Sequence, residues 1–349
     1  MILNNLNETE LRELMSTIGE KPFRGSQIFE YINRHYDYNI DDYELLPKKL
    51  RTKINGQFHI SSIEILEYLS SELDSTKKLL YKLEDGNIIE GVLLEYKHGF
   101  SLCVSTQVGC RMGCVFCAST KGGLVRSLEP YEITSQVYLT EKEFDINISN
   151  IILMGSGEPF DNYENTMKAL SLLHAEKGKN MSYRNMTIST CGIVDGINRL
   201  KEENKPINLA ISIHSFDDIE RSKILPINRK YNISEVLESA RDYADSTGRR
   251  VTFEYTVIDG VNNRNSDIEL IKNSIRGINS NVNLIALNPI KEYDSKRVTD
   301  KSLYRFKSDL ERQNVNVTIR RELGSDISAS CGQLRREFLA TKEGCTDEV

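Results

Sequence analysis

The chain has 349 residues, a formal net charge of −6 and an ordinary globular composition. That length buries a sizeable core without disulfide staples and suits one large domain, or a large domain with a small partner. The charge excludes a protein that coats nucleic acid by bulk electrostatics, while a local basic patch can still meet a specific RNA.

No run of eighteen apolar residues occurs, so no membrane-spanning helix is expected. The opening MILNNLNETELREL lacks a basic stretch followed by an apolar one, so no secretory signal is expected and cytoplasmic residence follows. Seven cysteines, odd in number and unevenly spaced, fit a reducing compartment with metal or redox use.

In chain order, the first part reads as short helices. Leu11, Leu14, Met15 and Ile18 repeat at helical spacing before Gly19. Ile28, Tyr31 and Ile32 repeat the pattern, and Pro47 can open a third helix, LPKKLRTKI. From about Ile63 the signal turns to alternation, and LLYKLEDGNIIEGVLLEY carries Asp85-Gly86 between two strand-like runs, a hairpin signal. From Cys103 onward, strands and helices alternate. SLCVSTQ, NIILMG, NMTIST, INLAISIH, VTFEYTVI, VNLIALNP and VNVTIR are the strand candidates, with helical patterns such as NYENTMKALSLLHAE and SDIELIKNSIR between most of them. This order predicts an α/β fold with a mostly parallel sheet and right-handed crossovers, an open or partial barrel short of the full eight units.

The stretch CRMGCVFC places Cys110, Cys114 and Cys117 within eight residues. A structural zinc site closes with four protein ligands, and no fourth Cys or His follows closely; His98 lies upstream. A four-iron cluster held by three cysteines leaves one iron without a protein ligand. That iron can be chelated by the amino and carboxylate groups of S-adenosylmethionine. The plainer alternatives are a partial zinc site or three thiols close by accident.

The Cys-X3-Cys-X2-Cys spacing, with Phe116 before the last cysteine, resembles the signature of the radical S-adenosylmethionine superfamily. The resemblance implies a partial (β/α)6 barrel, one 4Fe–4S cluster, and cleavage of S-adenosylmethionine to a 5′-deoxyadenosyl radical. It also implies that the loop NIILMGSGEP, with Gly155, Gly157 and Glu158, binds the amino group of S-adenosylmethionine. Ser189, Ser212, His214 and Asn288 also sit at strand ends. Each alone is more often a cap or turn residue. Their shared address at the C-terminal ends of barrel strands makes them candidates for ligand contact.

QVGCRMGCVFC, MGSGEP, ISTCG, LPIN, LNP and SASCGQL together resemble the RlmN/Cfr family of RNA adenine methyltransferases. The likeness runs over nearly the whole chain, including KPFRGSQI near the start. It implies that Cys331 in CGQL takes a methyl group from one S-adenosylmethionine and that a second is cleaved, two per turnover. The methyl-derived carbon then adds to adenine, and Cys103 attacks the Cys331 sulfur to form a transient disulfide, which reduction resets. By itself, Cys103 in SLCVS reads as a buried core thiol. Cys191 and Cys345 read as structural or incidental.

In IIEGVLLEY, Ile88, Glu90, Val92, Leu94 and Tyr96 share one face, so Glu90 is an acid on an otherwise apolar face. Its position matches the family's proton acceptor, which takes the adenine proton. Glu95, on the other face, is expected in solvent.

The resemblance implies 23S rRNA and tRNA as partners, a flavodoxin- or ferredoxin-type electron donor, no membrane, and a monomer. The basic clusters available for RNA are Lys48, Lys49, Arg51 and Lys53; Arg221, Lys223, Arg229 and Lys230; and Arg320, Arg321, Arg335 and Arg336. The target base must lie in a loop or be flipped out. GEP at Gly157–Pro159 follows the C2-methylating branch, whereas the C8 branch that confers antibiotic resistance tends to carry alanine after that Glu. The Ser156 and Ile213 positions depart from the commonest family wording. The expected division is a helical RNA-docking unit over 1–57, a β extension over 58–95, the barrel over 96–326, and a C-terminal segment over 327–349 carrying Cys331. A radical thiotransferase would need a second three-cysteine set, which the dispersed remaining cysteines do not supply. A non-enzymatic, metal-stabilised RNA-binding protein is the remaining alternative, and metal content separates it.

Overall fold

Residues 1–36, 38–287 and 297–327 are described by a computed structural model. Helix α1 (Glu8–Thr17) begins at a reciprocal cap. Asn7 Oδ1 accepts from the Glu10 backbone N–H at 2.9 Å, and the Glu10 carboxylate accepts from the Asn7 N–H at 2.7 Å. Helices α2 (Phe23–His35) and α3 (Lys48–Gln57) follow, the latter directly after Pro47. Leu11, Met15, Ile28, Ile32, Leu50 and Ile54 gather into one apolar cluster. Leu172, from a helix of the barrel, completes that cluster, so the helical unit is seated by apolar contact. Lys168–Glu10 at 2.9 Å and Lys177–Glu8 at 2.6 Å ring the seam; both are part-exposed and add little.

Strands β1 (Glu64–Ser70), β2 (Lys77–Lys82) and β3 (Ile88–Tyr96) form an antiparallel arm. Asp85 and Gly86 make the β2–β3 turn, as the sequence predicts, with the Asn87 N–H donating to Asp85 Oδ1 at 3.0 Å. Strand β4 (Gly99–Cys103) returns antiparallel to β3. A separate two-stranded ribbon, β5 (Gln107–Gly109) and β6 (Leu124–Ser127), comes next.

Helix–strand alternation then takes over. In order come α4 (Pro130–Phe144), β7 (Ile148–Leu153), α5 (Tyr163–His174), β8 (Met186–Thr190), α6 (Val194–Glu202), β9 (Asn208–Ser212), α7 (Asp218–Ile224) and α8 (Ile233–Thr247). They are followed by β10 (Val251–Val257), α9 (Asn265–Ser274), β11 (Ser280–Ala286), α10 (Asp300–Arg312) and β12 (Val317–Ile319). All seven strand candidates read from the sequence are present. The ten-stranded sheet runs β1-β2-β3-β4-β7-β8-β9-β10-β11-β12, and every pair from β4 to β12 is parallel. This is a partial parallel barrel whose loops after the strand ends share one mouth.

The antiparallel arm belongs to the same sheet. Cys103 pairs with Val92 of β3 on one side and Ile152 of β7 on the other, so it stands at the seam between arm and barrel. Pleating then sorts the arm's side chains. Leu79, Tyr81, Ile89 and Leu93 enter the main core, where the Tyr81 hydroxyl lies 2.6 Å from Thr140 Oγ1 of α4. Glu90, Val92 and Leu94 turn to the barrel mouth. Glu95 is exposed, as expected. No helix among the described residues is long and apolar enough to cross a membrane.

Candidate active site

The β5–β6 ribbon holds the cysteine loop at its base. The Cys110 N–H donates to the Gly123 carbonyl at 3.0 Å, and the Val115 N–H donates to the Ile224 carbonyl at 3.1 Å. The Thr120 hydroxyl sits within hydrogen-bonding reach of the Cys114 and Cys117 carbonyls at 3.1 and 2.9 Å. Arg111 is anchored on Asp161. Cys110, Cys114 and Cys117 all line one cavity of about 650 Å³ at the barrel mouth.

The Gly155–Glu158 loop after β7 presses on the chain that leaves β4. A Cβ at Gly155 would stand 2.6 Å from the Val104 carbonyl oxygen, and one at Gly157, where φ is +108°, would stand 2.6 Å from Gln107 Cβ. Only glycine allows this approach. The Ser156 N–H donates to Ser105 Oγ at 2.8 Å, and the Glu158 N–H to Gln107 Oε1 at 2.9 Å. The Glu158 carboxylate is buried and accepts the N–H groups of Cys191 at 2.8 Å and Phe160 at 3.1 Å. Burial pushes this carboxyl up, against the pull of those donors. Glu158 thus lines the cavity and also ties the β7 loop to the β8 loop.

Ser189, Ser212 and His214 line the same cavity from β8, β9 and the turn after β9. His214 has φ 53° and is buried. Its Nδ1 accepts the Thr256 N–H at 2.9 Å, which leaves Nε2 as the donor of a neutral ring. Burial, then the charge of Arg221, holds its pKa down at about 3. The Phe116 ring meets it edge-on at 4.9 Å.

Arg221 corrects the sequence reading. The sequence groups it with Lys223, Arg229 and Lys230 as a basic cluster for RNA, yet it is wholly buried. Its Nε donates to the Ile213 carbonyl at 3.1 Å, its Nη2 to the Cys191 carbonyl at 2.7 Å, and its Nη1 to Asn228 Oδ1 at 2.6 Å. Burial holds its pKa down at about 10. The Asn of LPIN therefore orients a buried brace between two cavity loops. Lys223, Arg229 and Lys230 are exposed. In the first basic cluster, Lys48 and Lys49 are exposed, while Lys53 Nζ donates to the Ile18 carbonyl at 2.5 Å and Arg51 reaches the Asp41 carbonyl.

The antiparallel arm supplies another part of the wall. Glu90 is 2% exposed, and Cys103 follows on β4. Ser105 Oγ donates to the Glu90 carbonyl at 2.7 Å, so the wall is bonded to the strand exit that carries the glycine loop. Burial pushes the Cys103 thiol up to about 11, and the Arg320 guanidinium opposes that rise. Arg320 and Arg321 line the mouth. Cys331, Asn288, Cys345, Arg335 and Arg336 lie outside the described residues.

Two residues escaped the sequence reading. Lys78 of β2 lies fully buried 4.0 Å from Glu90, and Glu254 of β10 is a buried acid lining the cavity. Glu254 shares its strand face with Thr252 and Thr256, so the pattern that marks Glu90, an acid on an otherwise apolar face, does not mark it. Cys191, read as structural or incidental, lines the cavity and is hydrogen-bonded to Glu158.

The three loop thiols suit an iron–sulfur core. Burial and then its thiol neighbours push Cys114 well above the ordinary thiol range, and burial takes Cys110 to about 12. Three crowded thiols, one buried and two half-buried, become thiolates readily beside compensating positive charge, which a cluster of iron ions supplies. Among the described residues, no three His, Cys, Asp or Glu side chains converge as ligands of a single ion would. A cluster asks less convergence, because each thiolate binds a different iron.

The model of the radical SAM superfamily matches residues 104–271, and that of the ribosomal RNA large subunit methyltransferase N-terminal domain matches residues 1–60. A probable dual-specificity RNA methyltransferase RlmN of Clostridium perfringens strain 13 is 46% identical over 333 residues, 95% of this chain and 96% of its own. Its namesake in Clostridioides difficile strain 630 is 46% identical over 97% of this chain and 98% of its own. The crystal structure of a radical SAM methyltransferase from Sphaerobacter thermophilus superposes with a TM-score of 0.90 at 38% identity, covering 95% of this chain and 98% of that one. With such likeness along nearly its entire length, the chain belongs to the RlmN family of radical S-adenosylmethionine RNA methyltransferases.

Proposed function

We propose that this cavity methylates C2 of an adenosine in 23S rRNA and of the adenosine that follows the anticodon in some tRNAs. The observation that carries the reading is the shared cavity: the three loop thiols, Cys103 and Glu90 all line it. The cluster and S-adenosylmethionine, when bound, supply one-electron chemistry that generates a carbon radical.

The chain's own residues do the rest. Cys110, Cys114 and Cys117 would hold the cluster. The Gly155–Glu158 loop, Ser189, Ser212, His214 and Asn288 would seat S-adenosylmethionine. Cys331 carries the methyl group, and Glu90 accepts the proton that leaves the adenine carbon. The unpaired electron that radical addition leaves on the ring would pass back to the bound cluster; Cys103 then gives up its proton and bonds to the Cys331 sulfur as that sulfur's bond to the new carbon breaks, and the carbon keeps the electron pair and takes a proton. Two electrons and two protons from an external thiol or flavodoxin-type donor return the disulfide to thiols. The protein works as a monomer, with the 1–57 unit docking RNA. Pro159 in GEP and the names of the relatives support C2 over C8.

The test is nucleoside mass spectrometry of RNA treated anaerobically with reconstituted protein, reductant and S-adenosylmethionine. 2-Methyladenosine is the expected product. 8-Methyladenosine would move the protein to the C8 branch, and no methylated adenosine would remove the reading.

A further inference from the structure

Strand β2 places one charge where solvent does not reach. Lys78 is fully buried, and its Nζ stands 4.0 Å from Glu90 Oε2, itself on a residue 2% exposed. The ladder explains the meeting. Lys78 lies opposite Val92 and Leu80 opposite Glu90, so Lys78 and Glu90 are diagonal neighbours on one face of the arm. An ammonium or a carboxylate buried alone is costly, and each makes the other tolerable. The carboxylate also lines the cavity, whereas the lysine stands behind it and is not part of the cavity lining. A pair built only to join two strands has no need to turn one member toward a reaction site.

We propose that Lys78 is a positioning residue for the methylation reaction, fixing the Glu90 carboxyl group in the cavity wall so that it can take the adenine proton. The inference rests on the reading of Glu90 as the base. In the step concerned, the C–H bond of the methylated adenine carbon breaks, its electron pair stays with the ring, and the proton joins a Glu90 oxygen. Lys78 keeps its protons throughout. Once Glu90 is neutral, the nearby ammonium favours return of its carboxylate form, and the proton passes on to solvent in the cavity. A separation of 4.0 Å balances charge without a short bond from the ammonium competing for the oxygen that must accept the proton.

The test uses full-length reconstituted protein and RNA carrying either protium or deuterium at the adenine C2. Lys78→Met and Lys78→Gln run in parallel with Lys78→Arg and Glu90→Gln. Methyl loading on Cys331 and release of 5′-deoxyadenosine are read on the same samples. For the two neutral variants the expected result is unchanged loading, product formation slowed roughly 10²-fold, as for loss of a general base, and a larger deuterium effect. KM for RNA stays unchanged, and Lys78→Arg recovers much of the rate. A full product rate with the ordinary deuterium effect would overturn the proposal. So would a parallel fall in loading and product, which marks a strut for the fold alone. Glu90→Gln separates the two levels. If that variant keeps its full rate, the base reading fails; if it is inactive while Lys78→Met is not, only the role of Lys78 fails.

Discussion

The two walls of the cavity are built in opposite ways. The loop wall, from Cys110 to Cys117 and from Gly155 to Glu158, is held by backbone hydrogen bonds and by two glycines that admit no side chain. The arm wall is held by strand pairing, and its charged members, Lys78 and Glu90, come from different strands of one ladder. Loops shaped by their own backbone suit a large cofactor, which must be cradled by groups that approach closely. A strand-built wall suits proton and thiol chemistry, which needs a few side chains fixed to within fractions of an ångström. The division predicts that damage to one wall should leave the function of the other intact.

The largest effect belongs to the loop wall. Cys114→Ala should lower iron from about four per chain to a small residue and bring RNA methylation to background. Iron analysis and the visible absorption of the reconstituted protein check this. Iron retained at the wild-type level would place the cluster elsewhere.

Cys103→Ala tests the reverse case. Iron content and methyl loading should survive while released methyladenosine falls by roughly 10³-fold or more, and RNA should stay covalently joined to protein on a denaturing gel. In the wild type, the half-buried Cys103 thiol, raised to about 11, is mostly protonated at neutral pH. A raised thiol pKa means that the thiolate fraction grows as pH rises, about tenfold per unit below that value. The single-turnover rate of product release should climb with that slope until another step limits. A flat profile would remove Cys103 from the limiting step. Loss of iron in Cys103→Ala would break the separation of the walls.

The smallest effect on chemistry, and a clear one on stability, is expected at the brace between the β8 and β9 loops. Arg221→Met leaves the Ile213 and Cys191 carbonyls and Asn228 without their donor. A cost of about 3 kcal/mol is expected in denaturant unfolding. RNA affinity should not change, because Arg221 has no exposed surface. Weaker RNA binding with unchanged stability would return it to the basic cluster from which the structure removes it.

Much of this was legible beforehand. The seven parallel strands announce themselves as β-branched runs between helical repeats, and each appears where its run lies. The cysteine spacing and the glycine loop are short-range patterns, readable because their geometry is settled within a few residues. Glu90 was legible for a different reason: an acid breaking an apolar alternation is costly, so it signals a special environment. Glu254 lacks that mark, because its own face carries Thr252 and Thr256 and reads as an ordinary polar side of a strand. Arg221 was misread because a basic residue beside exposed lysines on an amphipathic stretch looks solvated, and nothing local marks it as buried.

The sequence by itself determined the fold class, the cluster loop and the order of the walls, since period, spacing and turn chemistry act within one element or between neighbours in the chain. Only the tertiary structure decided that Lys78 stands behind Glu90, that Cys103 sits at the seam of arm and barrel, and that Arg221 braces two loops from inside. Those facts depend on strand register and on which distant residues share a face. A single residue of slip between the arm's strands would part Lys78 from Glu90 without altering any local pattern.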